Sequence, residues 1–222
     1  MIYEPGRFDK IALEPLFKRA FHEAYLASND PKLMFFEPSQ FPDEIGIFGG
    51  LVFPLGFTQP PGGSEYAANH VLNDHTYCCQ LSADICAVGE PSLERAIDCR
   101  DWHQKRINTR AEDARRYSIP LFISEFGNCG DTDTCVNEVT SVMDSCDENL
   151  AGWAYWQYKN GFIISPKPST GPEGFFNEDG SVQTKKVKAL TRTYLQATQG
   201  TLLRMNFQNQ TAFFTATFAV NT

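Results

Sequence analysis

Four segments of this chain are predicted to be helical. In residues 10–27, apolar side chains stand three and four positions apart, which predicts an amphipathic helix with one face on a core. The members of that face are Leu13, Leu16, Phe17, Ala20, Phe21, Ala24 and Tyr25. Residues 93–117, 133–149 and 184–194 form the other three predicted helices.

Short apolar runs of strand length lie between these helices, at residues 33–36, 70–77, 121–125 and 152–158. Alternation of strand and helix is typical of parallel strands joined by crossover helices, so the sequence predicts an α/β fold. The four predicted strands end at Glu37, at His75 with Tyr77, at Glu125 and at Trp156. A Pro- and Gly-rich excursion over residues 39–64 is long enough to be a functional loop.

The pattern and composition of the sequence change after Gly200. Residues 202–220 alternate and are rich in Thr and Phe, which predicts two strands with a turn at residues 206–209. Two strands are marginal alone, so we expect them to open a β domain whose remainder is absent. The predicted domains are therefore residues 1–198, the α/β part, and residues 199–222, the first strands of a truncated β domain.

Glu125 ends an apolar run, Leu121-Phe122-Ile123-Ser124, and is followed by Phe126-Gly127. A carboxylate at the end of a buried strand is costly to hold without a task. Catalytic groups of (β/α) barrels stand at this end of the strands, so Glu125 is a candidate nucleophile or general acid/base. A carboxylate that caps a loop or pairs with an Arg is the alternative.

Composition narrows the classes of function. The 222 residues carry a net charge of −8, from 19 basic and 27 acidic side chains, which argues against a nucleic-acid surface. No apolar stretch reaches transmembrane length, and the first residues lack the pattern of a signal peptide. The aromatic fraction of 13% fits either a large core or a sugar-stacking cleft.

All seven cysteines lie between residues 78 and 146, and their spacing matches no zinc motif. A local disulfide cluster in a secreted protein and reduced, buried thiols in a cytosolic protein are both compatible with that pattern. The odd number leaves one thiol free or paired outside this chain. Asn209-Gln210-Thr211 is a glycosylation sequon, which matters only if the chain is secreted.

Motifs at all four strand ends, taken in order, resemble glycoside hydrolase family 5, and within it the endoglycoceramidases. They are Phe35-Phe36-Glu37-Pro38, His75-Thr76-Tyr77-Cys78, Ile123-Ser124-Glu125-Phe126-Gly127 and Trp153-Ala154-Tyr155-Trp156-Gln157-Tyr158. The stretches around Pro5-Gly6-Arg7 and Asp179-Gly180-Ser181 also resemble that family. The resemblance implies a (β/α)8 TIM barrel, of which this chain would hold strands five to eight, followed by the start of a β-sandwich.

The resemblance also implies retaining hydrolysis by two glutamates, and Glu125 matches the nucleophile. Tyr77 is a candidate donor to that carboxylate, and His75 either touches substrate, holds a carboxylate or is structural. Trp156 offers an indole face to a sugar ring, or else lies in the core, and Glu37 contacts the polar part of the substrate or forms a salt bridge. This chemistry needs no metal or organic cofactor.

The chain departs from the family pattern because it contains no Asn-Glu-Pro, the motif of the acid/base. Among its Glu-Pro pairs, Glu4-Pro5 and Glu37-Pro38 are the candidates to replace it. Three hypotheses follow: part of an endoglycoceramidase-like glycosidase, an inactive fragment or pseudoenzyme, or a β-glucanase of the same family.

The implied partners are a glycolipid or oligosaccharide and no nucleic acid. Phe48, Phe53 and Phe57 of the 39–64 loop are candidates to line an apolar cleft for lipid tails, and an ordinary surface excursion is the alternative. Peripheral contact with membrane lipid is a further hypothesis, beside self-association of an open half-barrel. The implied location of the parent protein is extracellular or lysosomal.

Overall fold

A parallel sheet of four strands, in the order β1-β2-β3-β4, positions the candidate site. The computed structural model describes residues 4–28, 30, 32–40, 51–78, 91–127, 129–158, 173–177 and 179–220. Within them the strands are β1 (Met34–Phe36), β2 (His70–His75), β3 (Leu121–Glu125) and β4 (Gly152–Trp153). The predicted parallel arrangement is confirmed.

Helices join or flank these strands. A π-helical turn, Asp9–Leu13, leads into α1 (Glu14–Ser28), which precedes β1. The crossover from β2 to β3 is α2 (Ala96–Tyr117), and the crossover from β3 to β4 is α3 (Asp133–Asn149). A short helix, α4 (Thr184–Leu190), follows β4.

The main core lies between the sheet and these helices. Phe36, Leu72 and Leu121 occupy one register row across β1, β2 and β3, and all three are buried. Because side chains alternate along a strand, their neighbours Phe35 and Phe122 point to the opposite face, where the two rings meet edge to face. That face is the one expected to line a barrel interior.

An antiparallel hairpin, β5 (Gly200–Gln208) and β6 (Phe213–Val220), forms a second sheet. The predicted turn at residues 206–209 is wrong, because strand pairing continues to Gln208 opposite Phe213. The chain reverses over residues 209–212, where Ala212 takes a left-handed φ of 55°.

Arg192 attaches this hairpin to α3. Its guanidinium donates to Asp144 and Asp147 on α3 and to the carbonyl of Phe207 on β5. Because two carboxylates and a strand carbonyl meet one buried cation, the hairpin is anchored to the helical layer.

Three elements end earlier in the structure than the sequence predicts. β2 ends at His75 instead of Tyr77, and α4 ends at Leu190 instead of residue 194. Regular pairing in β4 stops at Trp153, although a single bridge between Gly127 and Trp156 continues the same edge. At α4 the backbone turns extended at Thr191, which frees Arg192 for its acidic partners.

Among the described residues, two disulfides connect cysteines that are near in sequence: Cys78–Cys99 and Cys129–Cys135. Cys146 is a buried free thiol, whose pKa is raised mainly by burial. Cys79 and Cys86 lie outside the described residues. Among the helices that the structure describes, none has the length and apolarity needed to cross a bilayer.

Candidate active site

Three neighbouring strand ends bring Glu37, His75 and Glu125 together. Glu37 follows β1, His75 ends β2 and Glu125 ends β3, and a register shift pairs His75 directly with Glu125. Nδ1 of His75 lies 3.4 Å from Oε1 of Glu37 and 3.5 Å from Oε2 of Glu125. One imidazole therefore stands between two half-buried carboxylates at the C-terminal edge of the sheet.

Tyr77 completes the surroundings of Glu125. Its hydroxyl donates to Oε2 of Glu125 over 3.2 Å. Burial, and then the negative charge of Glu125, raise the pKa of Tyr77 well above its ordinary value. The phenol therefore stays protonated at neutral pH and acts as a hydrogen-bond donor to the carboxylate.

Glu37 has a different environment. Nδ2 of Asn73 donates to one of its oxygens over 3.0 Å, and Nε2 of Gln40 donates to the other over 2.9 Å. Burial raises the pKa of Glu37, with His75 and the two amides acting against that rise. The raised pKa makes the Glu37 carboxyl easier to protonate than a free one. A nucleophile must be ionised, so this environment does not favour Glu37 for that role.

A buried chain of hydrogen bonds supports the strand end from behind. The Thr76 amide donates to the carbonyl of Glu125 over 3.0 Å, and the Thr76 hydroxyl meets Nδ1 of His103 on α2 at 2.7 Å. Nε2 of His103 lies 2.7 Å from Oε1 of Glu138 on α3. All three side chains are buried, so the chain is a support and not a solvent-facing site.

A buried ion cluster holds the same segment from α2. Arg106 donates from Nε to the carbonyl of His75 and from Nη2 to Asp74. Arg110 binds the other oxygen of Asp74 and also Asp113. Because Asp74 and His75 are adjacent, the cluster restrains the backbone from which the His75 side chain projects.

The two tryptophans that follow Ala151 face different surroundings. Trp153 packs against the main core and meets Phe126 edge to face, with ring centroids 5.7 Å apart. Trp156 leaves 44% of its surface exposed beside β3, where it bridges to Gly127. An exposed indole near Glu125's strand end is available to a sugar ring.

Two further polar residues belong to this region and were not singled out from the sequence. Asn73 donates to Glu37. It lies two residues before His75 on β2, and since alternate residues of a strand share a face, this spacing could have indicated it. Glu173 accepts from Nε2 of Gln157 over 3.2 Å, and its charge helps raise the pKa of Tyr77. Glu173 lies outside every predicted strand motif, so no sequence pattern predicts its place in this region.

Some candidates from the sequence lie elsewhere. Glu4 is exposed and pairs with Arg7 in the turn before the first helix, which gives no support to an acid/base role. Phe57 is buried in the main core against Phe17 and Phe36, so it is wrong as a lining residue for lipid tails. Phe48 lies outside the described residues.

One group of three potential metal ligands occurs among the described residues: Cys78, Cys99 and Glu138. The two sulfurs are bonded to each other, and Glu138 is engaged by His103. A disulfide sulfur is not a thiolate ligand, so this group does not fit a metal ion.

Comparison with known proteins agrees with this geometry. Residues 57–161 match the cellulase family, glycosyl hydrolase family 5. The chain is 26% identical over 217 residues to an endoglycoceramidase of Cyanea nozakii, covering 97% of this chain and 37% of that protein. It is 29% identical over 164 residues to endoglycoceramidase I of Rhodococcus hoagii (strain 103S), covering 73% of this chain and 28% of that protein.

The fold matches solved structures as well. The lactosyl-enzyme intermediate of endo-glycoceramidase II from Rhodococcus sp. superposes with a TM-score of 0.66 at 20% identity, over 91% of this chain and 40% of that chain. The ganglioside GM3 complex of the same enzyme gives a TM-score of 0.65 at 20% identity, over 91% of this chain and 40% of that chain. The four-stranded parallel sheet therefore corresponds to part of a TIM barrel.

The chain spans about a third of the length of the curated relatives that it matches. The family match over residues 57–161 includes β2, β3 and β4 and the residues at their C-terminal ends. The chain is therefore similar to glycosyl hydrolase family 5 over residues 57–161 and to endoglycoceramidases over most of its length, and its fold corresponds to part of a TIM barrel.

Proposed function

We propose that this chain carries the nucleophile side of a retaining glycosidase site, with Glu125 as the nucleophile. The observation that supports this most directly is the position of Glu125 at a strand end, with the Tyr77 hydroxyl on its Oε2 and His75 beside the same oxygen. A hydroxyl that donates to a carboxylate oxygen holds the group in one orientation, which an attack on the anomeric carbon requires.

In the proposed reaction, Glu125 attacks the anomeric carbon and forms a covalent glycosyl-enzyme, while an acid protonates the departing oxygen. Water then releases the sugar, with the same acid group now acting as base. The second carboxyl must stand about 5–5.5 Å from the nucleophile. Since no Asn-Glu-Pro occurs in the sequence, we assign that carboxyl to a segment outside these 222 residues.

The proposed substrate is a glycosphingolipid, cleaved at the β-linkage between oligosaccharide and ceramide. The support is twofold: the relatives carry the name endoglycoceramidase, and Trp156 exposes an indole face near the nucleophile. Glu37, held by Asn73 and Gln40, is proposed to accept hydrogen bonds from sugar hydroxyls.

The same proposal includes the domain organisation. We infer that β1 to β4 are strands five to eight of the barrel, within residues 1–198. The hairpin of β5 and β6, within residues 199–222, is proposed to open a β-sandwich domain, because it forms its own sheet and packs on the helical layer through Arg192.

The nucleophile is tested with a 2-deoxy-2-fluoro-lactosyl fluoride, which traps the glycosyl-enzyme. Fluoride departs without protonation, so labelling does not depend on the acid/base. We expect peptide mass spectrometry to place the sugar on Glu125, to find no label in Glu125→Gln and to find full labelling in the control Glu173→Gln. A label on Glu37 or Glu173 would contradict the assignment.

Two alternative substrates are separated by a hydrolysis assay on these residues together with the segment that carries the acid/base. Release of oligosaccharide from gangliosides but not from soluble cellulose supports the glycolipid substrate, and the reverse supports a β-glucanase. The absence of Asn-Glu-Pro favours a second candidate, a sugar-binding pseudoenzyme. Calorimetric binding of lactose without any labelling of Glu125 would establish that second candidate.

A further inference from the structure

The hairpin of β5 and β6 places a modification motif at its tip. Asn209-Gln210-Thr211 is the only Asn-X-Ser/Thr triplet in the 222 residues, and its middle residue is not proline. The turn is closed by the Thr211 amide, which donates to the carbonyl of Gln208. Gln210 and Thr211 are exposed, so the triplet stands on the surface of the folded chain.

The acceptor atom has space beside it. Nδ2 of Asn209 lies 3.5 Å from the hydroxyl of Thr140 on α3, at the rim of a surface cleft of about 450 Å³. The cleft runs between α2 and α3, and its polar lining includes Arg100, Gln104, Thr140, Ser141 and Gln210. A substituted amide keeps one hydrogen, so modification of Nδ2 does not abolish its contact with Thr140.

The disulfides supply an independent observation. Cys78–Cys99 and Cys129–Cys135 are bonds that persist in secretory and extracellular compartments and are rare in the cytosol. The compartments that form such disulfides in eukaryotes also contain the oligosaccharyl transferase. A surface sequon and a disulfide-bonded fold therefore indicate the same route through the cell.

We propose that Asn209 carries an N-linked oligosaccharide whose first sugar lies over the cleft between α2 and α3. The donor is a polyprenyl-pyrophosphate-linked oligosaccharide. Nδ2 of Asn209 loses one proton and bonds to the anomeric carbon of the first N-acetylhexosamine, and the bond from that carbon to pyrophosphate breaks with its electron pair on the leaving group. This proposal stands independently of the hydrolase activity.

The test expresses the full chain with a secretion signal in a eukaryotic host. We expect peptide mass spectrometry to find Asn209 glycosylated in the wild-type protein and peptide N-glycosidase F to increase its gel mobility. Asn209→Gln and Thr211→Ala should remove the modification. The matched controls Thr211→Ser and Gln210→Ala keep an acceptor triplet and should retain it.

Wild-type protein that is secreted with both disulfides formed, yet unmodified at Asn209, would overturn the proposal. This measurement needs no variant to fold. The contact with the cleft is tested by amide hydrogen exchange in the glycosylated wild type and in unmodified Thr211→Ala, which keeps the Asn209 amide and its contact with Thr140. Faster exchange in α3 near Thr140 is expected in the unmodified variant, and equal exchange there would overturn the placement of the first sugar.

Discussion

His75 separates two carboxylates that the protein treats differently. Glu125 receives a phenol hydroxyl, whereas Glu37 receives two side-chain amides and has its pKa raised by burial. Glu37 therefore holds a proton more readily than a free carboxyl does, although it lies 3.4 Å from an imidazole nitrogen.

Replacement of Glu37 by Gln should reveal that difference as a pH dependence of stability. A folded-state pKa above the ordinary 4.5 means that ionised Glu37 disfavours the folded chain, so its contribution is lost as pH rises through the raised value. The free energy of unfolding of Glu37→Gln, relative to wild type, should therefore increase from about pH 4 to about pH 7 in urea titrations.

The exposed residue Glu112 provides the control for this measurement. Glu112→Gln should show no such trend across the same pH range. A relative stability of Glu37→Gln that falls with rising pH would contradict the raised pKa of Glu37.

Much of this edge could be predicted from strand ends alone. The sequence placed Glu37, His75 and Glu125 at the ends of predicted parallel strands, which end on one side of a sheet, and the Tyr77 hydroxyl donates to Glu125 as expected. Glu173 could not be predicted in this way, because it lies 16 residues after its partner Gln157 and follows no strand motif. The catalytic roles of Glu125, Tyr77 and His75 stay proposals.

At the scale of elements, two helices support the end of β2 and the residues that follow it, including Tyr77. His103 on α2 and Glu138 on α3 form a buried pair behind Thr76, and Oε1 of Glu138 also accepts from the Cys78 amide over 3.4 Å. A substitution of Glu138 on α3 is therefore expected to disturb Thr76 and Cys78, which follow β2 beside Glu125.

Glu138→Ala should lower the free energy of unfolding by about 1–3 kcal/mol, because it leaves the buried His103 ring nitrogen without its partner. Exposed Glu148 on the same helix is the matched control, and Glu148→Ala should change stability by no more than about 0.5 kcal/mol. Urea unfolding measures both. Equal effects of the two substitutions would show that the buried pair contributes nothing specific.

The order of strands and helices was predictable, and the ends of elements were less so. Apolar runs and helical periodicity report burial, which regular elements share along most of their length. The hairpin turn depends on pairing between Gln208 and Phe213, and the end of α4 depends on distant acidic partners of Arg192. Alternation of side chains does not decide which residues pair across the hairpin, and Asp144 and Asp147 lie far from Arg192 in sequence.

At the scale of the whole molecule, β1 leaves apolar side chains in solvent. Leu33 is 59% exposed and Phe35 is 48% exposed, and in the described sheet β1 pairs only with β2. An open strand edge with exposed apolar residues favours association with another chain.

We expect sedimentation equilibrium to show concentration-dependent self-association of this chain. Leu33→Lys combined with Phe35→Lys should weaken it by at least about tenfold, since burial of each apolar side chain is worth about 1.5–3 kcal/mol. Leu93→Lys is the control, because Leu93 is 60% exposed at the turn that precedes α2 and distant in sequence from β1. A monomer at every concentration would contradict this prediction.

Helix α3 holds three separate parts of the chain at once. Glu138 supports the strand end of β2, Cys135 is bonded to Cys129 after β3, and Asp147 binds the arginine that also contacts Phe207 of the hairpin. A substitution on one side of this helix must keep the other two attachments intact. In evolutionary terms, α3 has little freedom to drift, and its accepted changes should co-vary with positions in α2 and in residues 192–207.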